Sequence, residues 1–308
     1  MSARLDSSTS INRLGPVLSL FAETERQFAD HMAKSRATAW LYEFLRFGMK
    51  QAWACLFGGI MVALIIGTHY WYPPSMPLTR YDFLFLSAVV VQITLLVTKL
   101  ETLDEAKIIL LYHIVGTAME LFKTSVGSWI YPEASIFHIA GVPLFTGFMY
   151  SCIGSYLFRV WRIFDFRFTH HPPGWTLVAL SIGIYVNFFA HHYIPDIRLA
   201  LFAVTIFLFR KTRIYYRIWR DYRWMPLLLG LLLVSLFIWF SENIGTYSRT
   251  WLYPSQMNGW SMVSFAKLGS WFLLLIVSYT MVALINKPRE LDEQTMTDQS
   301  ITTRAEAA

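Results

Sequence analysis

The chain has 308 residues, of which 55% are hydrophobic, 17% aromatic and 15% charged, and its mean hydropathy is +0.43. A soluble domain carries about 25% charged residues, so this composition argues against a soluble core and favours a helical membrane bundle. The net charge of +6 comes from lysines and arginines in alternate loops, which is typical of membrane proteins and gives no reason to expect a nucleic-acid partner. The two cysteines, Cys55 and Cys152, lie in apolar runs and are interpreted as packing residues.

Taken in chain order, the sequence starts with a polar, cationic segment, residues 1–50. Part of it is amphipathic, because Leu41, Phe44 and Leu45 have helical spacing. Eight apolar segments follow, and each predicts a transmembrane helix, although the sixth is short for the roughly 20 residues that a span requires. The tail, 287–308, is predicted to be disordered. The apolar segments are 52–71, 81–98, 107–128, 135–158, 175–192, 196–209, 225–243 and 261–285.

Positive charges alternate between the loops that join these segments. The loops after the second, fourth and sixth segments are rich in lysine and arginine, whereas the other loops hold little beyond Arg80 and Arg249. Under the positive-inside rule this pattern places both termini in the cytoplasm and supports an even number of spans. The predicted fold is therefore an all-α polytopic membrane protein with eight transmembrane helices.

An internal repeat appears when the chain is shifted by 122 positions, because the pattern E-x3-T-x4-W-x-Y-P then matches itself. It predicts two four-helix repeats, residues 51–160 and 175–286, joined by a cytoplasmic loop, 161–174. Since each repeat has an even number of spans, both would face the same way, as parallel repeats do in some transporters. The matched residues are Glu120, Thr124, Trp129, Tyr131 and Pro132 with Glu242, Thr246, Trp251, Tyr253 and Pro254.

Four stretches of the chain resemble the YoaT-like bacterial membrane proteins, which share a domain of unknown function (number 817). They are ETLDEAKIILLYHIVGTAMELFKTSVGSWIYPE, GVPLFTGFMY, YVNFFAHHYIPDIR and ENIGT with the later WLYP, and the likeness covers nearly all of 50–286. The resemblance implies a bacterial cytoplasmic-membrane protein and supplies no catalytic residues. A single motif, glutamate with W-x-Y followed by Pro143-Leu144, is similar to membrane-bound carotenoid cyclases and hydratases. The chain lacks the paired acidic residues that those cyclases show after Pro-Leu.

Glu120 and Glu242 are the candidate catalytic residues. Each precedes a tryptophan by nine residues, which is about 13 Å along a helix. If that tryptophan marks the outer interface, each carboxyl group lies near the middle of a hydrocarbon core about 30 Å thick. A charge there costs about 2.5 kcal/mol or more, so each glutamate should face the bundle interior and favour its protonated form, as a proton relay requires. The alternatives are a hydrogen bond between helices, or a helix that ends early at Gly127 or Gly245.

Other polar side chains near the glutamates are candidates for binding. His113, Lys123 and Thr124 follow the same helix face as Glu120. Lys267 is a candidate counter-ion for a glutamate, and the alternative for both lysines is that they reach towards the membrane surface. The set is completed by the aromatic residues of both copies of the repeated pattern and by the threonine of the second copy: Trp129, Tyr131, Thr246, Trp251 and Tyr253.

His191, Asp196 and Arg198 would form a polar cluster at the outer face, and the alternative is that His191 is an ordinary interfacial histidine. The chain has no H-E-x-x-H pattern, no glycine-rich phosphate loop and no G-x-S-x-G, so no metal site is predicted and the cofactor is left open.

Three functions remain open from the sequence. The first is a membrane enzyme that modifies a lipid or isoprenoid, favoured by the cyclase-like motif. The second is a proton- or cation-coupled transporter of a small solute, favoured by the parallel repeat. The third is a structural membrane protein whose polar groups only hold helices together. The expected partners are the lipid bilayer and a hydrophobic or small-solute ligand.

Overall fold

A computed structural model describes residues 36–191 and 193–291. Most of the predicted N-terminal segment, 1–35, and the end of the predicted tail, 292–308, lie outside the described residues. The chain divides into two units between Lys50 and Gln51. In the first unit, Leu41, Phe44 and Leu45 are all exposed.

Nine α-helices form most of the part described, and each of the eight predicted apolar segments overlaps one of them, α2 to α9. Their bounds are α1 Arg36–Ala54, α2 Leu56–Trp71, α3 Arg80–Val97, α4 Leu103–Ser125, α5 Phe145–Phe164, α6 Gly174–Ala190, α7 Arg198–Phe209, α8 Leu227–Tyr247 and α9 Phe265–Asn286. The fourth segment differs most from its prediction, because α5 begins at Phe145 and not at 135. A short hairpin precedes that helix, formed by β1 (His138–Ile139) and β2 (Val142–Pro143), and it turns at Gly141 with a φ of +81°.

Three helices, α3, α8 and α9, are long and apolar enough to cross a membrane. The pair formed by α1 and α2 counts as a fourth candidate if the two helices are treated as one interrupted span. The helices α6 and α7 are apolar but shorter, with 17 and 12 residues. The protein is therefore a mostly helical membrane protein with three or four candidate spans among its described residues.

The helices α4 and α5 pack closely because glycines remove side chains at their crossing. A Cβ atom added at Gly147 of α5 would lie 2.5 Å from the ring of His113 on α4, and one added at Gly116 of α4 would lie 2.6 Å from the ring of Tyr150 on α5. Small residues of this kind let two membrane helices approach each other. The close approach brings Tyr150 to the face of α4 that carries Glu120.

A fully buried ion network joins the other end of α4 to α5. The guanidinium of Arg159 lies 2.9 Å from Glu101 and 3.6 Å from Glu105, and all three side chains are inaccessible to solvent. Arg162 lies 3.2 Å from Glu105, and the amide of Gln92 donates to Glu101. Arg159 and Arg162 follow the fourth apolar segment, so the charge pattern predicts that they are loop residues on the cytoplasmic side. In the structure both lie within α5 and neutralise buried carboxylates.

A three-stranded antiparallel sheet departs from the all-α prediction. Its strands are β3 (Arg167–Thr169), β4 (Arg213–Arg217) and β5 (Tyr222–Pro226), in that order. The strand β3 lies in the predicted loop 161–174, into which α5 also extends. The sequences RIYYR and YRWMP contain the aromatic and β-branched residues that favour strands. Their many arginines led the sequence analysis to interpret them as loop.

Candidate functional site

The two helices that carry the glutamates end in the same way. Glu120 lies five residues before the last residue of α4, and Glu242 lies five before the last residue of α8 (125 − 120 and 247 − 242). After each helix the chain turns through a residue with positive φ, +70° at Gly127 and +53° at Arg249. The same pair of backbone hydrogen bonds closes each turn, as in a Schellman motif. They are Gly127 to Thr124 and Ser128 to Lys123 in one helix, and Arg249 to Thr246 and Thr250 to Gly245 in the other.

Neither glutamate lies at a helix end near water. Glu120 is 5% exposed and Glu242 is 4% exposed. The helix α4 ends just before Gly127, and α8 continues through Gly245 to Tyr247. The prediction that both carboxyl groups face the interior of the bundle therefore agrees with their burial in the structure.

The segments that follow the two turns pair with each other. Ile130 and Leu252 form an isolated antiparallel bridge, in which each backbone N–H donates to the other residue's carbonyl at 2.9 Å. The neighbouring residues Trp129, Tyr131 and Tyr253 contact the glutamates.

Arg80 and Tyr81 of α3 fasten the second turn. The guanidinium of Arg80 donates to the carbonyl of Ser248 at 3.0 Å and forms an ion pair with Glu133 at 2.7 Å. The hydroxyl of Tyr81 donates to the carbonyl of Thr250 at 2.9 Å. A cation at a helix C-terminus interacts favourably with the exposed carbonyls and the helix dipole. Arg80, an exception in the charge pattern of the loops, therefore has a structural role.

Three side chains donate hydrogen bonds to Glu120. The indole of Trp129 donates to Oε2 at 2.7 Å, and the hydroxyl of Tyr131 donates to the same oxygen. The hydroxyl of Tyr150 donates to Oε1 at 2.7 Å. Both carboxyl oxygens are therefore occupied.

Two side chains donate hydrogen bonds to Glu242. The hydroxyl of Tyr253 donates to Oε1 and the indole of Trp271 donates to Oε2. Each glutamate thus receives at least one tyrosine hydroxyl and one tryptophan indole, which are the polar ends of otherwise apolar side chains.

Aromatic contacts join the two sets of partners into one cluster. The rings of Trp129 and Tyr253 are 6.1 Å apart and nearly perpendicular, and those of Tyr150 and Trp271 are 6.2 Å apart. The two-glutamate cluster is the name used below for these side chains: Glu120, Trp129, Tyr131, Tyr150, Glu242, Tyr253 and Trp271.

Lys267 lies at the edge of the two-glutamate cluster. Its ammonium is 4.3 Å from the ring centre of Tyr253 and 5.3 Å from that of Trp129, distances at which a cation is attracted to a ring face. Its role as a counter-ion for a glutamate stays a prediction. The residue 122 positions earlier is Phe145, whose ring is 6.3 Å from that of Tyr131. The second half of the chain therefore places a cation where the first half places a neutral ring.

Three predicted partners of Glu120 lie elsewhere on α4. The ammonium of Lys123 donates to the carbonyl of Phe188 on α6 at 2.8 Å. The ring of His113 lies 4.4 Å from that of Phe148. Thr124 has a buried hydroxyl that makes no hydrogen bond within the described residues. Helical spacing alone placed these side chains beside Glu120, but the neighbouring helices determine their contacts.

Two residues of the second repeated pattern also lie outside the cluster. The indole of Trp251 covers Gly245, where an added Cβ would lie 2.1 Å from the ring. Thr246 accepts a hydrogen bond from the indole of Trp260 at 3.1 Å. Trp251 therefore differs from its equivalent, Trp129, which donates to a glutamate.

The predicted polar cluster after α6 is assembled around Asn187. The side-chain amide of Asn187 donates to Asp196 at 3.0 Å, and its backbone carbonyl accepts from the ring of His191. Arg198 forms a 3.1 Å ion pair with Asp196. Partial burial raises the pKa of Asp196, but the hydrogen bonds from Asn187 and from the backbone of Arg198, with the charge of Arg198, outweigh burial and hold that pKa below its ordinary value. Sequence reasoning missed Asn187.

Sequence reasoning also missed Tyr150 and Trp271. They lie three residues after Gly147 and two residues after Gly269, so they are not equivalent under the shift of 122. The matched glycines, Gly147 and Gly269, were the sequence signal that could have pointed to Tyr150 and Trp271, because each precedes an aromatic residue able to donate a hydrogen bond. Packing alone decides that these two side chains reach the glutamates.

A small cavity of about 40 Å³ adjoins the two-glutamate cluster. Almost all of its wall is apolar, and it is formed by residues of α4, α5, α6 and α9. Tyr150 and Trp271, which donate to Glu120 and Glu242, both line it. Within 36–191 and 193–291, no group of three or more histidine, cysteine, aspartate or glutamate side chains is arranged to hold a metal ion.

Comparison with known proteins gives the family but no activity. The family described as "Protein of unknown function (DUF817)" matches residues 43–279. "Uncharacterized protein YoaT" of Bacillus subtilis (strain 168) is 40% identical over 248 residues, which cover 80% of this chain and 93% of the relative. The chain therefore belongs to the DUF817 family. No solved structure matches it significantly.

Proposed function

We propose that this member of the DUF817 family is a membrane-embedded enzyme that acts on an apolar, lipid-like or isoprenoid-like molecule. Glu120 and Glu242 supply the acid–base group and its partner. The observation that carries the proposal is the position of Tyr150, whose side chain lines the apolar cavity and also donates to Glu120 at 2.7 Å.

Tyr150 can pass a proton between Glu120 and a molecule in the cavity. A phenol hydroxyl both donates and accepts, so Tyr150 can give its own proton to Glu120 as it takes a proton from the substrate. The reverse transfer returns the proton, and neither an oxidant nor a metal is consumed. Trp271 has only an N–H donor, so it can hold Glu242 but cannot relay a proton. The acid–base route therefore runs through Glu120 and Tyr150.

The proposal includes eight spans in the bacterial cytoplasmic membrane, with both termini in the cytoplasm and two parallel halves. Three observations support the two halves: the matched ends of α4 and α8, the matched positive-φ residues, and the pairing of Ile130 with Leu252. Residues from both halves form the cavity, as expected for a site at the interface of repeats.

A structural role is the second candidate, and one observation favours it. All four oxygens of the two carboxyl groups accept hydrogen bonds from protein side chains. Buried polar groups that are fully satisfied can hold helices together without doing chemistry. A coupled transporter has less support, because the cavity beside the glutamates is apolar.

The experiment compares total lipids and small metabolites from cells that lack the gene with those from cells that express the wild-type chain, Glu120→Gln or Glu290→Gln. Glutamine keeps the shape and accepting oxygen of Glu120 but cannot release a proton, and Glu290 is an exposed control. We expect a lipid difference that depends on the gene, is lost in Glu120→Gln and is retained in Glu290→Gln, at equal protein levels in the membrane.

Each other outcome selects a different function. A normal lipid profile in Glu120→Gln removes Glu120 from the mechanism. A gene-dependent difference in a water-soluble metabolite, with unchanged lipids, supports the transporter. No chemical difference, together with loss of protein in Glu120→Gln, supports the structural role.

A further inference from the structure

The sheet formed by β3, β4 and β5 has two unlike faces. Because side chains alternate along a strand, the register assigns every second residue to the same face. One face carries Phe168 and Ile214, which are 0% and 7% exposed and belong to the largest apolar core. The opposite face, called the arginine face below, carries Arg167, Arg213, Arg217, Tyr222 and Trp224 around a buried Tyr215.

The arginine face has an excess of positive charge. Arg167 and Arg217 share one carboxylate, since each lies 3.2 Å from Asp165, and Tyr222 donates to the same carboxylate at 2.6 Å. Within the described ranges, no carboxylate lies at salt-bridge distance from Arg213. Its guanidinium stacks 4.3 Å above the ring of Trp224, which is 52% exposed. The arginine face therefore has three arginines and, among the described residues, one neighbouring aspartate.

The chain around the sheet adds charge of the same sign. Apart from Arg213 and Arg217, residues 210–226 contain four arginines and lysines and a single acidic residue, Asp221. A guanidinium binds a phosphate through two parallel hydrogen bonds, and stacking on an aromatic ring leaves its N–H groups directed to the edge. The arginine face thus has the chemistry that recognises phosphate groups.

The sheet is fixed beside the end of a candidate membrane span. β5 ends at Pro226, and α8 begins at the next residue, Leu227, whose N–H donates to the carbonyl of Thr212 at 3.1 Å. The strand β4 starts four positions after the last residue of α7. An exposed tryptophan and a half-buried tyrosine at such a place are typical of the membrane interface. This continuity favours a lipid surface over an acidic protein as the partner.

We propose that the arginine face binds the phosphate headgroups of anionic phospholipids in the leaflet next to the start of α8. The proposal rests on the membrane location of α8 and does not depend on the enzymatic function. Arg213 and the pair Arg167 and Arg217 contact the headgroups, while Trp224 and Tyr222 lie at the level of the interface.

The test measures binding of the full-length purified chain, in a neutral detergent, to phosphatidylglycerol and to phosphatidylcholine. We expect phosphatidylglycerol to bind at least about 25-fold more tightly, and Arg213→Gln/Arg217→Gln to remove about 25-fold of this preference, at roughly fivefold per arginine. Raising the salt concentration should reduce the difference. A matched control, Lys107→Gln/Arg249→Gln, removes two exposed charges away from the sheet and should bind like the wild type.

A variant that is expected to bind phosphatidylglycerol more tightly serves as a control for misfolding. Asp165→Asn removes the carboxylate shared by Arg167 and Arg217, so it should bind phosphatidylglycerol more tightly than the wild type. Equal binding of the two lipids by the wild type would overturn the proposal. Unchanged binding by the arginine variant, or tighter binding of a polyglutamate peptide than of phosphatidylglycerol, would overturn it too.

Discussion

Ile130 and Leu252, which are 122 positions apart, donate to each other's carbonyl groups in an antiparallel bridge at 2.9 Å. When a residue pairs in this way with its own counterpart in a repeated sequence, a local two-fold axis passes between the two. Two halves that face the same way in a membrane are related by an axis along the membrane normal. The bridge thus supports the proposed parallel repeats and lies beside the two-glutamate cluster.

Replacing Tyr150 with phenylalanine should abolish the proposed reaction, whereas replacing Trp271 with phenylalanine should not. The first change removes the only cavity-lining hydroxyl bonded to Glu120 among the described residues, and loss of a general acid costs about 100-fold or more. The second removes an N–H that cannot relay a proton. The measurement is the gene-dependent lipid product per amount of membrane protein. Equal losses in the two variants would show that Tyr150 only fills space.

The two turns with positive φ predict opposite effects on stability. Gly127→Ala should lower the free energy of unfolding by about 1 kcal/mol, because an L-residue is strained in the left-handed region. Nothing lies within 4 Å of the added Cβ, so the effect is confined to the backbone. Arg249→Gly should raise the free energy of unfolding by up to about 1 kcal/mol for the same reason. Thermal unfolding in detergent measures both, and a loss of stability in Arg249→Gly would contradict the expectation.

Arg159→Met should be strongly destabilising. It leaves Glu101 and Glu105 buried without a guanidinium between them, and breaking a buried pair costs about 3–5 kcal/mol. Adding Glu101→Gln and Glu105→Gln to Arg159→Met should restore part of the lost stability. Lys107→Gln breaks an exposed ion pair with Asp104 and should change the unfolding temperature very little. If the triple variant is less stable than Arg159→Met alone, the buried charges are not the cause.

His171 should make the protein less stable at mildly acidic pH. Burial lowers the pKa of His171 below its ordinary value of 6.5, and the hydrogen bond of Nδ1 to the carbonyl of Pro172 offsets this only in part. Its Nε2 accepts from the hydroxyl of Tyr279 at 2.8 Å, which requires a neutral ring. The unfolded chain therefore takes up a proton first as the pH falls below about 6.5, and stability declines from there down to the lower folded pKa.

The check is the thermal unfolding temperature of the wild type, His171→Gln and His170→Gln across this pH range. His170 is the exposed neighbour of His171. We expect the decline in His170→Gln to match the wild type and the decline in His171→Gln to be smaller. The same decline in all three chains would assign it to other groups.

The sequence predicted the helices well because a membrane span needs a long apolar run, and such runs are visible without tertiary information. Even the short sixth segment corresponds to a helix, α7. The burial of Glu120 and Glu242 could be predicted for the same reason, since a charge among apolar neighbours has to face the interior. Trp129, Tyr131 and Tyr253 were found because they repeat with the glutamates.

The remaining contacts depend on which helices meet. Tyr150 reaches Glu120 only because glycines let α4 and α5 approach closely, and nothing local to residue 150 indicates this. Lys123 has the spacing of a partner for Glu120, yet a carbonyl on α6 accepts its hydrogen bond. Arg159 and the strands of the sheet were obscured for a different reason. An arginine near the end of a span predicts a loop. The sequence pattern is the same whether that arginine pairs with a buried carboxylate, lies in a strand or is solvated.

Among the described residues, every hydrogen-bond donor to Glu120 lies in the first half of the chain, at positions 129, 131 and 150, and both donors to Glu242 lie in the second, at 253 and 271. In the proposed topology, the first half can therefore enter the bilayer during synthesis together with all three donors to Glu120, before the ribosome has made residues 175–286. Insertion then does not leave Glu120 without its hydrogen-bond donors until the second half is made. The cavity can form only after the second half is made, because its wall includes residues from both halves.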